Sequence, residues 1–391
     1  MKKIIFTIFV LIVISVTAVF AIAPSKVDEA KNPVKSHNDY VVSEYAQRLH
    51  ESLIVGDWHA DSLLWSRDLS RRNKIGHVDI PRLQEGNVGL QMFTVVTKSP
   101  SNKNYSRTES DGSADDITKL ALAQRWPVST WNSLTARAIY QSGKLHSFEK
   151  NNSDDLMIIK SKAGLSEWKN RRQSTPKLIG ALLGTEGSHA LDGDLKNIQV
   201  LYDHGFRMMS LQHFFDNKLG GSLHGVSQSG LTDFGRQAIK KMNELNIILD
   251  VSHSSELVVE DVLKFNDRPV VVSHTGFKGY CDTDRNISDS LMKKIASKGG
   301  LIAIGYWKAA TCGTHPKDIA GAIKYGINLV GEDHVSLGSD FDGSVTTALD
   351  TSELAAITQA LLSSGVNDNQ VRKVMGGNML RFLESLLPLS N

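Results

Sequence analysis

The sequence predicts an α/β fold, a (β/α)8 TIM-type barrel. Eight short runs rich in Val, Ile, Leu and Met recur along the chain, and amphipathic helical patterns lie between them. The runs are apolar on both faces, as in the strands of a parallel sheet that helices cover, and a count of eight favours a closed barrel over an open sheet. The runs are residues 53–55, 88–96, 178–183, 206–211, 247–251, 270–273, 301–306 and 335–338.

The helical patterns carry recognisable start signals. "LTDFGRQAIKKMNEL" at 231–245 has Thr232 as a plausible N-cap, and "SDSLMKKIASKG" at 288–299 has Ser288. The C-terminal "DNQVRKVMGGNMLRFLESLL" is typical of helices that close a barrel. We therefore expect residues 24–391 to form a single domain.

Residues 98–175 interrupt this alternation. The polar "KSPSNKNYSRTESDGSADD" is loop-like, and the helical "ITKLALAQRW" follows it. The stretch is longer than one crossover needs, and it follows the second strand at its C-terminal end, where the active sites of barrels lie. Two interpretations stay open, an insertion that covers the mouth of the barrel and a surface loop with ordinary helices.

The N-terminus, residues 1–23, has the pattern of an export signal or an N-terminal anchor. A basic tip precedes a long apolar run and small residues near Ala21 and Ala23. Pro24 disfavours cleavage directly after Ala23, so cleavage after Ala21 and retention as an anchor are both open. We expect an exported protein, periplasmic or extracellular, which is membrane-anchored only if this segment is retained.

Charge and cysteine content exclude some classes of protein. Lys plus Arg number 44 and Asp plus Glu number 42, a net charge of +2, so no basic footprint for nucleic acid is present. The two cysteines, Cys281 and Cys312, are too few for a disulfide scaffold. Whether they pair with each other or are separate buried thiols is open at this point.

Histidines and acids follow most of the predicted strands. Because the C-terminal ends of the strands of a barrel converge on one mouth, residues far apart in sequence meet there. A single histidine at a strand end is usually structural, but four of the 13 histidines together with three acids indicate a site. These residues are His59 and Asp61 after the first run, Glu186 after the third, His213 after the fourth, His253 after the fifth, His274 after the sixth and Asp340 after the eighth.

The types of residue indicate a metal site. Imidazole and carboxylate ligands without thiolate suit zinc, with manganese, iron or cobalt as alternatives. His59, Asp61, Glu186, His253 and His274 are too many ligands for one catalytic zinc, which keeps a position for water, but they suit two ions bridged by the glutamate. Two such ions would hold a hydroxide and polarise a carbonyl, which is hydrolytic chemistry.

Eight separated motifs resemble the membrane dipeptidase (renal dipeptidase) family of zinc peptidases, peptidase family M19. They agree with the family in sequence, spacing and order, and together they cover nearly the whole chain after the N-terminal segment. The motifs are "DWHADSLLW" (57–65), "HVDIPRLQEGNVGLQMF" (77–93), "LLGTEGSHAL" (182–191), "MSLQHFFDN" (209–217), "ILDVSHSS" (248–255), "VVSHTG" (271–276), "DRNISD" (284–289) and "LGSDFDG" (337–343).

The resemblance implies a TIM-type barrel of the metal-dependent hydrolase kind with two Zn²⁺ per chain. By resemblance, His59 and Asp61 are ligands of one zinc, Glu186 is the bridging carboxylate, and His253 with His274 are ligands of the other. These are the five residues that the ligand types single out.

The resemblance also implies roles at the substrate. His213 is similar to the histidine that contacts the substrate and stabilises the oxyanion, Arg285 to the residue that binds the terminal carboxylate, and Asp340 to the acid/base. His213, Arg285 and Asp340 are thus expected to bind substrate. Cys281 and Cys312 match the positions of a disulfide in mammalian relatives, which favours their pairing.

The expected activity is that of a binuclear zinc dipeptidase acting through a metal-bridging hydroxide, including on dipeptides with a D-residue at the C-terminal position. Dipeptides are the expected partners, and a homodimer is possible in this family. The chain departs from the family at Trp58, where relatives often have Gly, and in the poorly matched stretch 98–175.

Other functions stay open beside this one. The same metal barrel serves other amidohydrolases, which open N-acyl amino acids, β-lactams or lactones, and deaminases, and an exported peptide-binding protein without turnover is a further alternative. No G-x-S-x-G motif is present, which argues against a serine hydrolase.

Several polar residues near the motifs have simpler interpretations. Asp342 is the nearest competitor of Asp340 for the acid/base role, and Asp57 is expected to hydrogen-bond the backbone of the mouth or a histidine. His189 either orients Glu186 or is a loop histidine.

Overall fold

The computed structural model of the protein describes residues 2–101, 103–109 and 115–390; in the first helix, the side chains of residues 2, 3, 8–19 and 21 are not described. Most side chains of the predicted export segment, and Met1, therefore lie outside the described residues. Within the part of the chain that the structure describes, no helix combines the length and hydropathy needed to cross a bilayer.

The sheet closes into a barrel of parallel strands. In the ring, β1 pairs with β2, β2 with β4, and the remaining strands follow in chain order until β9 returns to β1. The predicted (β/α)8 barrel is confirmed. The strands of the described residues are β1 Val55–Ala60, β2 Val88–Val96, β3 Leu156–Ile158, β4 Ile179–Glu186, β5 Phe206–Ser210, β6 Ile248–Asp250, β7 Val271–Thr275, β8 Leu301–Ile304 and β9 Val335–Leu337.

Strand β3 was not predicted. The described residues contain nine strands, one more than expected, although eight of them form the ring. It lies inside the stretch 98–175 and pairs with the start of β4, Leu156 facing Ile179. The same edge of β4 pairs with β5 further along, Leu183 facing Phe206. Strand β3 therefore extends one edge of the sheet without adding a strand to the ring.

Helices surround the barrel. The segment 98–175 contains four of them, α4 to α7. The helices of the described residues are α1 Lys2–Lys31, α2 Glu44–Glu51, α3 Ile80–Glu85, α4 Asp116–Ala123, α5 Ser129–Asn132, α6 Leu134–Asn151, α7 Lys162–Ser174, α8 Lys196–Asp203, α9 Asp233–Glu244, α10 Glu256–Phe265, α11 Asp289–Ser297, α12 Lys308–Thr311, α13 Pro316–Val330, α14 Ala355–Ser363, α15 Asp368–Arg372 and α16 Asn378–Leu386, with a π-turn at Lys373–Gly377.

The predicted caps differ in their outcome. The Thr232 hydroxyl accepts a hydrogen bond from the Gly235 amide and caps α9 as expected. Ser288 precedes α11, but its side chain makes no capping hydrogen bond. Helix α11 begins there without that bond because its apolar face, which includes Leu291 and Ile295, is buried.

The inside of the barrel is sealed at the end where the strands begin, which we call the floor. Interior strand residues such as Leu90, Met92 and Leu182 belong to one buried apolar cluster with Trp168 of α7 and Phe382 of α16. A larger cluster fills the space between the strands and the outer helices. Burial of this apolar surface is the main stabilising contribution to the fold.

Two strands carry an extra residue near the opposite end, the mouth. Between Asp57 and Ala60, β1 has one residue more than β2, because these two residues face Gln91 and Phe93. Strand β7 likewise has one residue more than β8 between Val272 and Thr275. Such β-bulges bend a strand and re-aim its side chains.

Cys281 and Cys312 form a disulfide, with 5.5 Å between their Cα atoms. The bond joins the segment after β7 to the residue that follows α12.

Candidate metal centre

Four histidines converge on the carboxylate of Glu186 at the mouth. Glu186 Oε1 lies 3.2 Å from His253 Nε2, 3.3 Å from His274 Nε2 and 3.5 Å from His59 Nε2. Its other oxygen, Oε2, lies 3.3 Å from His213 Nε2. All five side chains are buried. Residues more than 200 positions apart in sequence thus meet in one space.

Two aspartates complete this group. Asp61 Oδ1 lies 3.6 Å from His59 Nε2 and accepts a hydrogen bond of 2.6 Å from the Thr94 hydroxyl. Asp340 offers a carboxylate oxygen to the same space. Three sets of side chains could hold a metal ion, with ligand atoms within 4.8 Å of one another: His59, His274 and Asp340; Glu186, His213 and His253; His59, Asp61 and Glu186.

The bulge in β1 explains why His59 reaches the centre. In a regular strand Trp58 and His59 would face opposite sides of the sheet. Here Trp58 belongs to the interior cluster with Phe382, and the next residue, His59, also points inward, with its ring 3.8 Å from that of His274. The extra residue lets β1 place two consecutive side chains inside the barrel.

Ser273 fixes the tautomers of two histidines. Its hydroxyl donates to Asp250 Oδ2 at 2.7 Å, so its lone pairs can only accept from the Nδ1 atoms of His59 and His274, each at 3.0 Å. Protonation at Nδ1 leaves the Nε2 atoms of both rings aimed at the centre. Although burial lowers it, the charges of Asp61 and Glu186 raise the pKa of His59 well above its usual range, so a metal ion bound at its Nε2 would take the place of a proton. His59 Nε2 is buried and has no hydrogen-bond partner among the described residues. A metal ion fits these atoms.

A further histidine, His224, orients His253 and was not predicted. His224 Nε2 lies 3.0 Å from His253 Nδ1, and His224 Nδ1 donates to the carbonyl oxygen of Tyr105 at 2.8 Å. Burial, assisted by the charge of Arg285, lowers the pKa of His224 to about 3, so this ring stays neutral. The contact leaves His253 Nε2 directed at Glu186.

The acids of the centre share a buried space. Burial raises the pKa of Asp340 well above its usual range; His59 opposes this, and the charges of Glu186 and Asp61 add to it. Burial also pushes the pKa of Glu186 upward, but the charge of His213 and hydrogen bonds from neighbouring histidines hold it well below its usual range. Several carboxylates confined together favour bound cations.

The imidazoles of His253 and His274 are held neutral. Burial lowers both pKa values well below the usual range; the charge of Arg285 contributes at His253, and His59 and then Arg285 contribute at His274. Neutral imidazole is the form that binds a metal.

His213 is held from the segment 98–109. Its Nδ1 donates to the carbonyl oxygen of Lys98 at 3.2 Å, and its Nε2 faces Glu186. Burial lowers the pKa of His213, and the charge of Glu186 opposes this. The side chain can therefore serve either as a ligand, in its neutral form, or as a donor, in its protonated form.

Arg285 lies beside the centre and is fully buried. Its Nη2 donates to the carbonyl oxygen of His274 at 2.6 Å and its Nη1 to that of Ser252 at 3.1 Å. Its Nε has no hydrogen-bond partner in the described part of the chain. The guanidinium carbon lies 5.3 Å from the ring centre of Trp307. The structure thus holds an arginine in place with its Nε–H and the second N–H of Nη2 available as donors.

The competing acids have other partners. Asp57 accepts hydrogen bonds from the Ser339 amide at 2.9 Å and hydroxyl at 2.6 Å, which braces β1 against the loop after β9. Asp342 pairs with Arg67 at 2.8 Å, and its pKa is lowered despite burial, chiefly by that arginine. Only Asp340, of these three aspartates, belongs to the candidate ligand sets of the described residues.

His189 does not orient Glu186 by a hydrogen bond. Both of its ring nitrogens lack a partner among the residues described, and the ring packs edge to face on Phe215. Burial, assisted by the charge of Lys98, lowers its pKa to about 3. The structure therefore favours its interpretation as a packed loop histidine.

The centre opens into a cavity of about 310 Å³, whose wall includes Asp61, Glu186 and His213. Small-molecule sites range from about 300 to 1,000 Å³, so this cavity suits a small ligand.

Sequence comparison connects this centre to known peptidases. The sequence model of the family described as membrane dipeptidase (peptidase family M19) matches residues 43–390. Dipeptidase aclJ of Aspergillus oryzae is 28% identical over 352 residues, which cover 84% of this chain and 76% of the relative. Dipeptidase verJ of Clonostachys rogersoniana is 26% identical over 327 residues, with 82% and 78% covered.

Solved structures share the fold. The probable dipeptidase PvdM from Pseudomonas aeruginosa superposes with a TM-score of 0.70 at 19% identity, covering 88% of this chain and 98% of that one. A metallo peptidase from Rhodobacter sphaeroides, liganded with a phosphinate mimic of the dipeptide L-Ala-D-Ala, gives a TM-score of 0.67 at 22% identity, with 85% and 99% covered. At these identities the likeness establishes the barrel.

Proposed function

The chain belongs to the membrane dipeptidase family, peptidase family M19, and from this premise we propose that it is a binuclear zinc dipeptidase. Membership makes it a metal-dependent hydrolase of peptide bonds; the metal, the number of ions and the substrate form the proposal. The observation that carries it is the convergence of four imidazole Nε2 atoms on the carboxylate of Glu186.

Two zinc ions account for the number of ligands. We assign one ion to His59 and Asp61 and the other to His253 and His274, with Glu186 shared between them. The Nε2 lone pairs that Ser273 and His224 orient support this assignment, because imidazole nitrogen and carboxylate oxygen are preferred zinc ligands. Bound zinc would polarise the scissile carbonyl and lower the pKa of the attacking water.

Three further side chains act on the substrate in this proposal. Asp340 accepts the proton of the attacking water and returns it to the leaving amine. His213 contacts the carbonyl oxygen and stabilises its developing charge when it is protonated; burial lowers the pKa of His213, and the charge of Glu186 opposes that lowering. Arg285 offers its Nε–H and the second N–H of Nη2 to the free carboxylate of a short substrate. That requirement favours dipeptides over long chains.

The proposal includes dipeptides with a D-residue at the C-terminal position. Its support is the ligand of the Rhodobacter sphaeroides metallo peptidase, a mimic of L-Ala-D-Ala. A panel of L-Ala-L-Ala and L-Ala-D-Ala tests it directly.

Metal analysis with kinetics tests the proposal. We expect about two zinc ions per chain by mass spectrometry, loss of dipeptide turnover on chelation, and recovery when zinc is returned. Glu186→Ala is expected to lose both metal and turnover. Glu186→Gln, which keeps the shape of the side chain, serves as a second variant if the alanine variant folds poorly.

The matched control is Glu167→Ala, which removes an exposed glutamate of α7. It is expected to keep metal and turnover. Zinc-loaded wild-type protein that cleaves N-acyl amino acids, β-lactams or lactones but no dipeptide would replace the proposal with another amidohydrolase activity. Peptide binding without turnover would replace it with a binding function.

We also propose that the protein is exported. The leader-like pattern of residues 1–23 supports this, and so does the disulfide between Cys281 and Cys312, because such bonds persist in oxidising compartments. Fractionation of cells expressing the full chain tests it, and recovery in the cytoplasm would contradict it.

A further inference from the structure

The cavity beside the centre has an apolar interior. Apart from Asp61, Glu186, His213 and Ser99, its buried side chains are apolar: Pro24 and, from a separate apolar cluster above the mouth, Leu64, Trp65, Val96, Ile117 and Leu120. Lys31, Lys103 and Lys119 are exposed and therefore lie at the rim; Asp116, which also lines the cavity, pairs with Lys119 at 2.9 Å, so Lys31 and Lys103 give the rim its net positive charge. An apolar group fits the interior, and a positively charged group is disfavoured by the rim.

The segment that follows the predicted leader forms one side of this cavity. Pro24, Val27 and Lys31, from the end of α1, line it opposite Ile117 and Ala123 of α4. The N-terminal stretch is therefore part of the wall of the site, although it precedes the first strand by more than twenty residues.

Buried polar contacts hold this segment on the barrel. Asp28 is 2% exposed and pairs with Arg67 at 2.8 Å, and Arg67 also pairs with Asp342 at 2.8 Å. Asn32 donates to Asp28 at 2.8 Å and accepts from the Ser344 amide at 2.9 Å. Because separating the members of a buried ion pair is strongly destabilising, these contacts hold the segment in one position.

The same contacts brace the loop that carries Asp340. Asp340, Asp342 and Ser344 all have left-handed backbone, with φ of 60°, 63° and 63°. Non-glycine residues in this region persist only where their surroundings hold them. The N-terminal segment contacts Ser344 directly through Asn32 and reaches Asp342 through Arg67, so it braces the loop as well as the cavity.

The cavity and Arg285 lie on different sides of the centre. The cavity is reached past Asp61, Glu186 and His213, which follow β1, β4 and β5, whereas Arg285 contacts the backbone of Ser252 and His274 at β6 and β7. A dipeptide whose carboxylate met Arg285 and whose scissile carbonyl met the centre would direct the side chain of its N-terminal residue toward the cavity.

We infer that residues 24–31 are a specificity element, which closes a subsite for a bulky apolar side chain on the residue N-terminal to the scissile bond. The inference rests on the proposed dipeptidase activity. Leucine or phenylalanine at that position is then preferred over glycine, and lysine is disfavoured.

Variants that narrow the cavity from two sides test the inference. In the zinc-loaded full chain, we expect Val27→Trp and Ala123→Trp to lower the ratio of kcat/KM for Leu-Gly over Gly-Gly by about tenfold, the scale of a one- or two-methylene mismatch in an apolar site. The inhibition constants of phosphinate mimics of the same two dipeptides should change by a similar ratio, which gives a readout independent of turnover.

The matched controls introduce tryptophan at residues that do not line the cavity. Leu122→Trp alters α4 at a side chain that is 42% exposed, and Val41→Trp alters one that is 90% exposed. Both should keep the wild-type ratio. Unchanged ratios in both cavity variants, or a wild-type preference for Gly or Lys at this position, would overturn the inference. Absence of any dipeptide turnover by the wild type would instead reject the proposed function, and the subsite with it.

Discussion

The floor and the mouth of the barrel are built from the same strands but bury opposite kinds of side chain. On β1, Trp58 packs edge to face on Phe382 at the floor side, with ring centres 5.6 Å apart, while the next residue, His59, faces Glu186 at the mouth. Apolar burial stabilises the floor. Buried imidazoles and carboxylates at the mouth cost free energy unless they are hydrogen-bonded, paired or bound to a metal.

This difference teaches where stability and chemistry are located. The mouth depends on supporting groups such as Ser273, Asp250 and His224, which orient ligands and satisfy polar atoms. The floor depends only on the close packing of apolar side chains. Variants at the mouth should therefore change metal binding or turnover with little effect on folding, and variants at the floor should do the reverse.

Asp340→Asn should give the largest effect and isolates chemistry at the mouth. The amide keeps the shape of the side chain but cannot carry the proton, so we expect kcat to fall by about 10²–10⁴-fold. Because the change removes a carboxyl that Glu186 and Asp61 repel, the melting temperature should not fall. Stopped assays on a dipeptide, metal analysis and thermal melts measure the three quantities.

Asp282→Asn is the control for this prediction, since Asp282 is 84% exposed and belongs to none of the ligand sets of the described residues. It should leave kcat as it is. If the Asp340→Asn variant loses its metal, Asp340 is a metal ligand. If it keeps a normal kcat, Asp340 has no catalytic role.

Phe382→Ala tests the opposite end. It deletes a ring that is 2% exposed, and truncation of a buried aromatic costs about 3–5 kcal/mol of unfolding free energy. Metal content and kcat of the folded protein should stay at the wild-type level, because Phe382 contacts no group of the centre. Urea denaturation measures the loss, and Leu389→Ala, at a side chain that is 79% exposed, is the control. A Phe382→Ala variant that loses zinc but keeps its stability would contradict the division between a stabilising floor and a metal-binding mouth.

Ser273→Ala tests the supporting groups of the mouth. Without the hydroxyl, the Nδ1 atoms of His59 and His274 lose their common acceptor, and such changes weaken metal binding by about 10–100-fold. Competition with a chelator of known affinity measures this. Ser336→Ala, in β9, is a matched buried control, because the Ser336 hydroxyl has no partner within the described residues. Equal affinities in the two variants would contradict the role of Ser273.

The barrel and the convergence of the candidate ligands were predictable because both depend on sequence periodicity. Apolar runs reveal strands, and strand ends converge, so His59, Glu186, His253 and His274 could be grouped from their positions alone. Strand β3 was missed because three apolar residues next to helical stretches carry too little periodic signal.

The supporting groups were not predictable from the sequence. His224 lies in the glycine-rich "LGGSLHG", where nothing local indicates a contact with His253. The bulges of β1 and β7 arise from pairing with neighbouring strands, which one strand's sequence does not encode. Asp28 and Arg67 meet only in the tertiary structure. Buried ion pairs between residues far apart in sequence, such as those of Arg67 with Asp28 and Asp342, leave no periodic signal.

The smallest expected effect concerns a titratable group at the floor side, His50 of α2. Its Nε2 donates to the carbonyl oxygen of Gly86 at 3.1 Å and its Nδ1 accepts from the Thr358 hydroxyl at 2.9 Å. Burial lowers the pKa of His50 to about 4, although the Gly86 carbonyl opposes this. Between about pH 6.5 and pH 4 the unfolded chain therefore binds a proton that the folded chain does not, and stability falls as the pH falls.

At pH 5 the contribution of His50 to this loss is about 2 kcal/mol relative to pH 7.5. His50→Gln, whose amide can still donate to Gly86, should remove that part of the pH dependence when urea midpoints are compared at the two pH values. Thr358→Val keeps the imidazole and should keep the slope. If the stability of His50→Gln falls between the two pH values as much as that of the wild type, the loss of stability in acid comes from the histidines of the mouth. The floor would then contribute to stability through apolar packing alone.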